Sequence, residues 1–402
     1  MRVDLKKIIY FITYIYLLFK FFIIVGNSYV KFVDYLYIFV MLIFLIIFYL
    51  KNKIKISIFN LLLFFLLLFL MLLQIIIGDY GFYDIFKATT FILISYLICE
   101  NDLLIQNNNC KKIDLIYIFI CINLFVYLIL SYFDGTLISN ISGVGNRFYL
   151  PSIQDKNMSS IIIYLFMCFC YGRKYIIGII ISLVYVFFLD SRMAQIGLLI
   201  FLIIEILKRR NYTNRFFKFF ENFNSKKIFA TILLSQLILI GFSYYCTYNI
   251  PITKISNYKE SLMDGSNAMR VRANVYAVES IKKNKKLFIT GYDSKIKDVL
   301  GVTDIYNSTI YLGFRLVQPH SLLLNLILRY GLLYSIVYLI IISRLISKYW
   351  TKNTISCLLV YIFMNLILPL LFSSTYLIFI IFVLSSLNSK RSKEKQKNEI
   401  RK

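Results

Sequence analysis

Twelve uninterrupted apolar stretches dominate the chain, at 8–25, 32–50, 57–77, 82–99, 113–133, 158–172, 174–189, 192–207, 228–248, 319–343, 355–371 and 373–388. A helix needs about 20 mostly apolar residues to cross the hydrocarbon layer. The stretches are continuously apolar rather than alternating, which excludes barrel strands and leaves helices, whose backbone groups are satisfied within the segment. With 59% hydrophobic and 16% charged residues in 402, the chain lacks the polar surface of a water-soluble globule. The expected fold class is therefore an all-α polytopic membrane protein with about twelve transmembrane helices, forming a single integral membrane domain over 1–402. The first stretch ends in no small-residue cleavage site, so it is expected to be retained as a helix.

The net charge of +25 is high enough to suggest nucleic acid, but its placement points elsewhere. With both termini inside, the inner segments carry 27 Lys and Arg and the short outer loops carry 4. That asymmetry is a membrane topology signal. The outer segment 249–318 holds 11 more, and a segment of that length translocates with little regard for charge. Four extramembrane segments follow: an external loop 134–157, a basic aromatic cytoplasmic loop 208–227 suited to anionic lipid, the large external loop 249–318, and a basic cytoplasmic tail 389–402. Within the large loop, 262–286 reads as an amphipathic helix with Met269, Val275 and Ile281 apolar, and Gly291 and Asp293 mark a turn after it. No long-period repeat is visible.

One histidine rules out a multi-histidine metal site, and seven cysteines, mostly within apolar runs, imply no disulfide framework. There is no phosphate-cradling glycine loop, no CxxC pair and no GxSxG. Asp155, Asp190, Asp264 and Asp293 have no spacing that compels a cation site, so no metal and no cofactor is expected. Chemistry is left to polar residues at the outer helix ends: Arg147, Asn157, Ser191, Arg192, Arg270, Arg272 and His320. Each has a plainer role open to it. Arg147 could anchor a loop at the headgroups, Asp190 and Arg192 could pair across a tight turn, Arg270 and Arg272 could be the wet face of a helix, and His320 could be an interfacial polar tip. Together they form a basic cavity at the lipid–water boundary, where guanidinium groups grip phosphate oxygens bidentately. A lipid-linked diphosphate sits at that depth and leaves readily once its charge is neutralised.

At these residues the chain resembles the O-antigen polymerase and O-antigen ligase superfamily, membrane glycosyltransferases of GT-C type. Four blocks carry the likeness: Arg147-Phe148 with Asn157; Ser191-Arg192-Met193-Ala194; Arg272 with Tyr276 and then Gly291; and Pro319-His320-Ser321 with Leu324 and Gly331. The chain departs from the family pattern at Ser321, Tyr276 and Arg329, where Asn, Trp and an acidic residue are usual. The resemblance implies a polymerase of lipid-linked oligosaccharide repeat units in the cytoplasmic membrane. A hydroxyl of one lipid-linked unit would attack the reducing-end carbon of a glycan on polyprenyl diphosphate. Arg192 and Arg272 would hold the diphosphate and His320 would take the proton, with Arg147, Arg270, Asn157 and Ser191 contacting substrate. Implied partners are the lipid-linked oligosaccharide, membrane lipids, and chain-length regulator and flippase proteins, with no nucleic acid. An O-antigen ligase acting on lipid A core, a twelve-span transporter and a scaffold of an export complex are the alternatives. Arg329 lies about 13 Å beyond His320 along one helix and faces away from it. A charge at that depth is usually paired or cavity-facing, with Asp84, Asp34 or no visible residue as its partner, and Lys20 and Lys87 pose the same question.

Overall fold

A computed structural model describes residues 5–23, 27–51, 56–77, 82–104, 111–137, 148–150, 153, 156–189, 191–209, 223–249, 265–283, 285–291, 319, 321–351, 353–367 and 376–388. Among the described residues there is no strand. The helices are α1 (Leu5–Phe21), α2 (Asn27–Leu50), α3 (Ile58–Ile77), α4 (Phe82–Glu100), α5 (Lys111–Phe133), α6 (Lys156–Arg173), α7 (Ile176–Phe188), α8 (Arg192–Arg209), α9 (Ser225–Asn249), α10 (Gly265–Lys283), α11 (Lys285–Thr290), α12 (Leu322–Lys348), α13 (Ile355–Ile367) and α14 (Tyr376–Asn388). Each of the twelve apolar stretches overlaps one of these helices among the described residues. Four contain runs long and apolar enough to cross a membrane: Phe32–Leu50, Ile58–Ile76, Ser225–Asn249 and Leu322–Lys348. This is an all-helical protein built for a membrane.

Burial separates the centre of the bundle from its rim. From Ser159 to Cys170, and again from Tyr376 to Leu387, every side chain is buried. By contrast, α2, α3, α5 and α9 turn large apolar side chains outward, among them Phe39, Phe65, Phe125 and Ile238, each more than half exposed. In water such faces would aggregate; against lipid tails they cost nothing.

Polar contacts sort the helix ends into two groups. At one end Lys348 pairs with Asp102 at 2.9 Å, and Arg344 and Tyr96 both donate to Asn60 Oδ1, at 3.0 and 2.6 Å. Lys208 donates to Ser356 Oγ at 2.8 Å, and Phe223 stacks on Trp350. At the other end Lys20 pairs with Asp34 at 2.7 Å, Tyr127 donates to the Tyr149 carbonyl at 2.8 Å, and Tyr244 donates to Glu279 at 2.6 Å. The six thiols among the described residues (Cys99, Cys121, Cys168, Cys170, Cys246 and Cys357) are free and buried.

The loop helix expected over 262–286 is present as α10, with the short α11 following it. One expectation needs correction. The tenth stretch is not one straight helix: α12 is broken at Gly331, whose backbone (φ 76, ψ 167) is not helical. Gly291, also left-handed at φ 73, ends α11 directly against the break. A Cβ on Gly331 would stand 2.1 Å from the Ile289 carbonyl oxygen, and one on Gly291 would stand 2.6 Å from the backbone of Arg329. Two residues without side chains thus let two backbones touch where α12 changes direction. Arg329 precedes the break, and its placement relative to His320 lies outside the described residues with His320 itself. Finally, Asp34 is engaged by Lys20 and Lys87, and the side chain of Asp84 lies outside the described residues.

Candidate functional site

The start of α12 is held by a network of buried polar side chains from three helices. Ser321 caps the helix, its Oγ accepting from the Leu324 N–H at 3.4 Å. Its own N–H donates to Asn274 Oδ1 of α10 at 3.0 Å. Its hydroxyl donates to Gln236 Oε1 of α9 at 2.8 Å, and the same oxygen accepts the Leu323 N–H at 3.3 Å. Asn274 in turn donates to Ser243 Oγ at 3.0 Å. Gln236, Ser243 and Ser321 are fully buried and Asn274 nearly so. An unpaired buried amide or hydroxyl costs about 1–3 kcal/mol, so this network fixes the three helices in one register.

Its position along α9 matters. Gln236 stands near the middle of that helix, about 17 Å from its first residue by the helical rise. The cap of α12 therefore opens within the bundle rather than at its rim. Three N–H groups at the start of α12, those of Ser321, Leu323 and Leu324, are taken by protein side chains.

A second junction joins α6 and α8. Ser191, buried just ahead of the first residue of α8, donates from Oγ to Asn157 Oδ1 at 3.0 Å. The preceding chain is fixed by Phe148, which is buried and stacks on Tyr127 of α5 with centroids 5.7 Å apart. It also lies 5.5 Å from the ring of Tyr185 of α7. The Leu150 N–H donates to Ser159 Oγ at 3.0 Å.

The sequence-derived residues divide as follows. Asn157 and Ser191 are brought into direct contact. Arg192 is the first residue of α8, one step from that contact, and Arg270 and Arg272 lie on α10, Arg272 two residues before Asn274; the side chains of these three arginines lie outside the described residues. Arg147 and His320 lie outside them entirely, as do Asp155, Asp190, Asp264 and Asp293. Their neighbours Phe148, Pro319 and Ser321 are buried. Thus the first two sequence blocks meet at Asn157–Ser191, and the last two meet at Asn274–Ser321. Both junctions lie toward the same end, since Lys208 and Trp350, at the far ends of α8 and α12, are both on the other. Among the described residues no three His, Cys, Asp or Glu side chains converge. On α10, Lys282 is held above the ordinary lysine range by the Glu279 carboxylate that accepts its hydrogen bond at 2.9 Å.

Gln236, Ser243 and Asn274 were not singled out from sequence. A signal was present: Gln236 is the only glutamine in the 228–248 run, and amides inside apolar spans are seldom placed without partners. Replacing Asn274 with Leu leaves the Ser321 N–H without its acceptor, and an expected loss of about 1–3 kcal/mol follows. Thermal unfolding in detergent should register it, whereas Asn249→Leu, on the exposed end of α9, should register no change.

Comparison with known proteins finds no matching family model, no matching curated protein and no matching solved structure.

Proposed function

We propose that the protein is a membrane glycosyltransferase of GT-C type with twelve spans, polymerising lipid-linked oligosaccharide repeat units at the outer face of the cytoplasmic membrane. The end rich in Lys6, Arg344, Lys348 and Lys208 faces the cytoplasm, with both termini there. One observation carries most of the reading: the 3.0 Å hydrogen bond from Ser321 to Asn274. It draws the segment around His320 against the helix that bears Arg270 and Arg272, two blocks nearly fifty residues apart in sequence. The Asn157–Ser191 contact does the same for the blocks around Arg147 and Arg192.

In this scheme Arg192 and Arg272 grip the diphosphate, and their charge neutralises the oxygen that departs as the C1–O bond breaks. His320 accepts the proton of the attacking hydroxyl, and the new glycosidic bond lengthens the chain by one repeat unit. Polyprenyl diphosphate leaves. Arg147 and Arg270, with Asn157 and Ser191, contact sugar or phosphate. No metal or cofactor enters the scheme.

The break in α12 favours a second reading, a transporter, since discontinuous helices build transport sites near mid-membrane. Such sites leave free helix-end groups for the cargo, and here the backbone of α11 at Ile289 and Thr290 packs directly against Gly331 at the break. The test is direct: purified protein, lipid-linked repeat units and a chelator, with products resolved on a gel. A ladder of repeat units is expected. Solute uptake into liposomes with the glycan left unconsumed would replace the polymerase with the transporter.

A further inference from the structure

One side chain beside the cap of α12 carries a buried acceptor that no described group satisfies. Asn325, the fourth residue of that helix, is fully buried. Its Nδ2 donates to the Pro319 carbonyl at 3.3 Å, so the side chain folds back over the cap toward the segment that leads into the helix. A carbonyl only accepts, which turns the NH2 of the amide toward Pro319 and leaves Oδ1 on the other side, purely an acceptor. Among the described residues that oxygen has no donor. Buried acceptors in native proteins are rarely left empty, because the water they gave up has to be replaced. The backbone around this point is held from both sides: Asn325 bonds the carbonyl of the 319–320 peptide, and Asn274 bonds the N–H of the 320–321 peptide at 3.0 Å.

The tripeptide Pro319-His320-Ser321 narrows the choice of donor. Pro319 has no N–H. The Ser321 N–H is given to Asn274 and its hydroxyl to Gln236. The backbone N–H of residue 320 belongs to the same peptide as the Pro319 carbonyl. In a trans peptide those two groups point in opposite directions, so an amide seated on one does not reach the other. Within the tripeptide, the imidazole N–H of His320 is what remains. We propose that Asn325 is a positioning residue for His320, its Oδ1 accepting one ring N–H and so selecting the imidazole tautomer. This rests on the reading of His320 as the proton acceptor. With one ring nitrogen tied to Asn325, the other carries its lone pair and is the one presented to the attacking hydroxyl. Once the ring takes up the proton, the same N–H···O bond holds the imidazolium in place.

The chain holds a single histidine, so labelling histidine with nitrogen-15 gives one pair of ring signals. The full chain, purified through a tag free of histidine, is measured by NMR at alkaline pH, where the ring is neutral and its protonated and bare nitrogens resonate apart. One dominant tautomer is expected. Asn325→Leu removes both bonds of the amide and should mix the tautomers as in free imidazole. Asn325→Asp also gives up the Pro319 bond but keeps an acceptor oxygen, and should hold the wild-type tautomer. In the polymerisation assay Asn325→Leu should lower kcat about 10–100-fold with KM unchanged. Mixed tautomers in the wild type would overturn the proposal without any variant. So would mixing in Asn325→Asp equal to that in Asn325→Leu, since the Pro319 bond would then be the whole of the residue's role. A rise in KM at constant kcat would overturn it too, as the mark of a substrate contact. Mixed tautomers beside a full product ladder would remove Asn325 and leave the polymerase reading standing; a single tautomer in a protein that makes no ladder would do the reverse.

Discussion

Gly331→Ala is expected to abolish accumulation of folded protein. The residue sits at φ 76 and ψ 167, a region that residues with a side chain reach only at a cost of order 1–3 kcal/mol. The methyl would also meet the Ile289 carbonyl oxygen at 2.1 Å and its carbon at 2.7 Å. Both are backbone atoms, so no rotamer change relieves the overlap. Nor can α11 retreat, because Gly291 at its end is itself packed against the Arg329 carbonyl. Conformational strain plus forced separation of two packed backbones should cost about 3 kcal/mol or more. Gly135 provides the control: its φ is nearly the same, 75, but a Cβ there would meet nothing within 4 Å. Gly135→Ala should therefore cost only the conformational part. Fluorescence-detected size exclusion of detergent extracts would compare the two, and equal monodisperse peaks would mean that the contact at the break is not what holds α12 bent.

Much of the bundle was legible beforehand because lipid imposes a simple code. A run such as Leu61–Leu73 has one stable option in hydrocarbon, and the basic loops that close the runs fix alternate directions. Lys208, Arg344 and Lys348 lie at helix ends and are held there by Ser356, Asn60 and Asp102. What escaped was whatever depends on two distant segments meeting. Gly331 was visible as part of a motif, yet nothing local says that a helix bends there; the bend exists because α11 arrives with a second glycine. Asn274 carries no periodic signal, and its importance comes from Ser321, forty-seven residues away. Lys20, Asp34 and Lys87 each posed the problem of a charge in an apolar run, and the solution was a three-helix junction that hydropathy cannot describe. The arginine and histidine blocks were readable as chemistry, and the folded chain adds the pairing of blocks one with two and three with four.

The largest effect on activity should come from Arg272 and His320. A guanidinium offers two parallel donors to a diphosphate and keeps its charge at any working pH. Losing one such transition-state donor typically lowers turnover by about 10²–10³, so Arg272→Ala should shrink the product ladder to near background. Lysine restores the charge without the fork, and Arg272→Lys should fall between the two. For His320→Ala the loss of a proton acceptor corresponds to about 10²–10⁴ in rate, and the loss should ease toward high pH, where more of the acceptor hydroxyl is already ionised. These substitutions differ from Asn274→Leu in a way that can be measured. Removing Asn274 acts through the register of α9, α10 and α12 and must lower the unfolding temperature. Arg272 and His320 flank that network without being part of its described hydrogen bonds, so their variants should unfold like wild type while making little polymer. Should both variants fold normally and still yield a full ladder, neither block performs the transfer, and the helical bundle would have to serve a different chemistry.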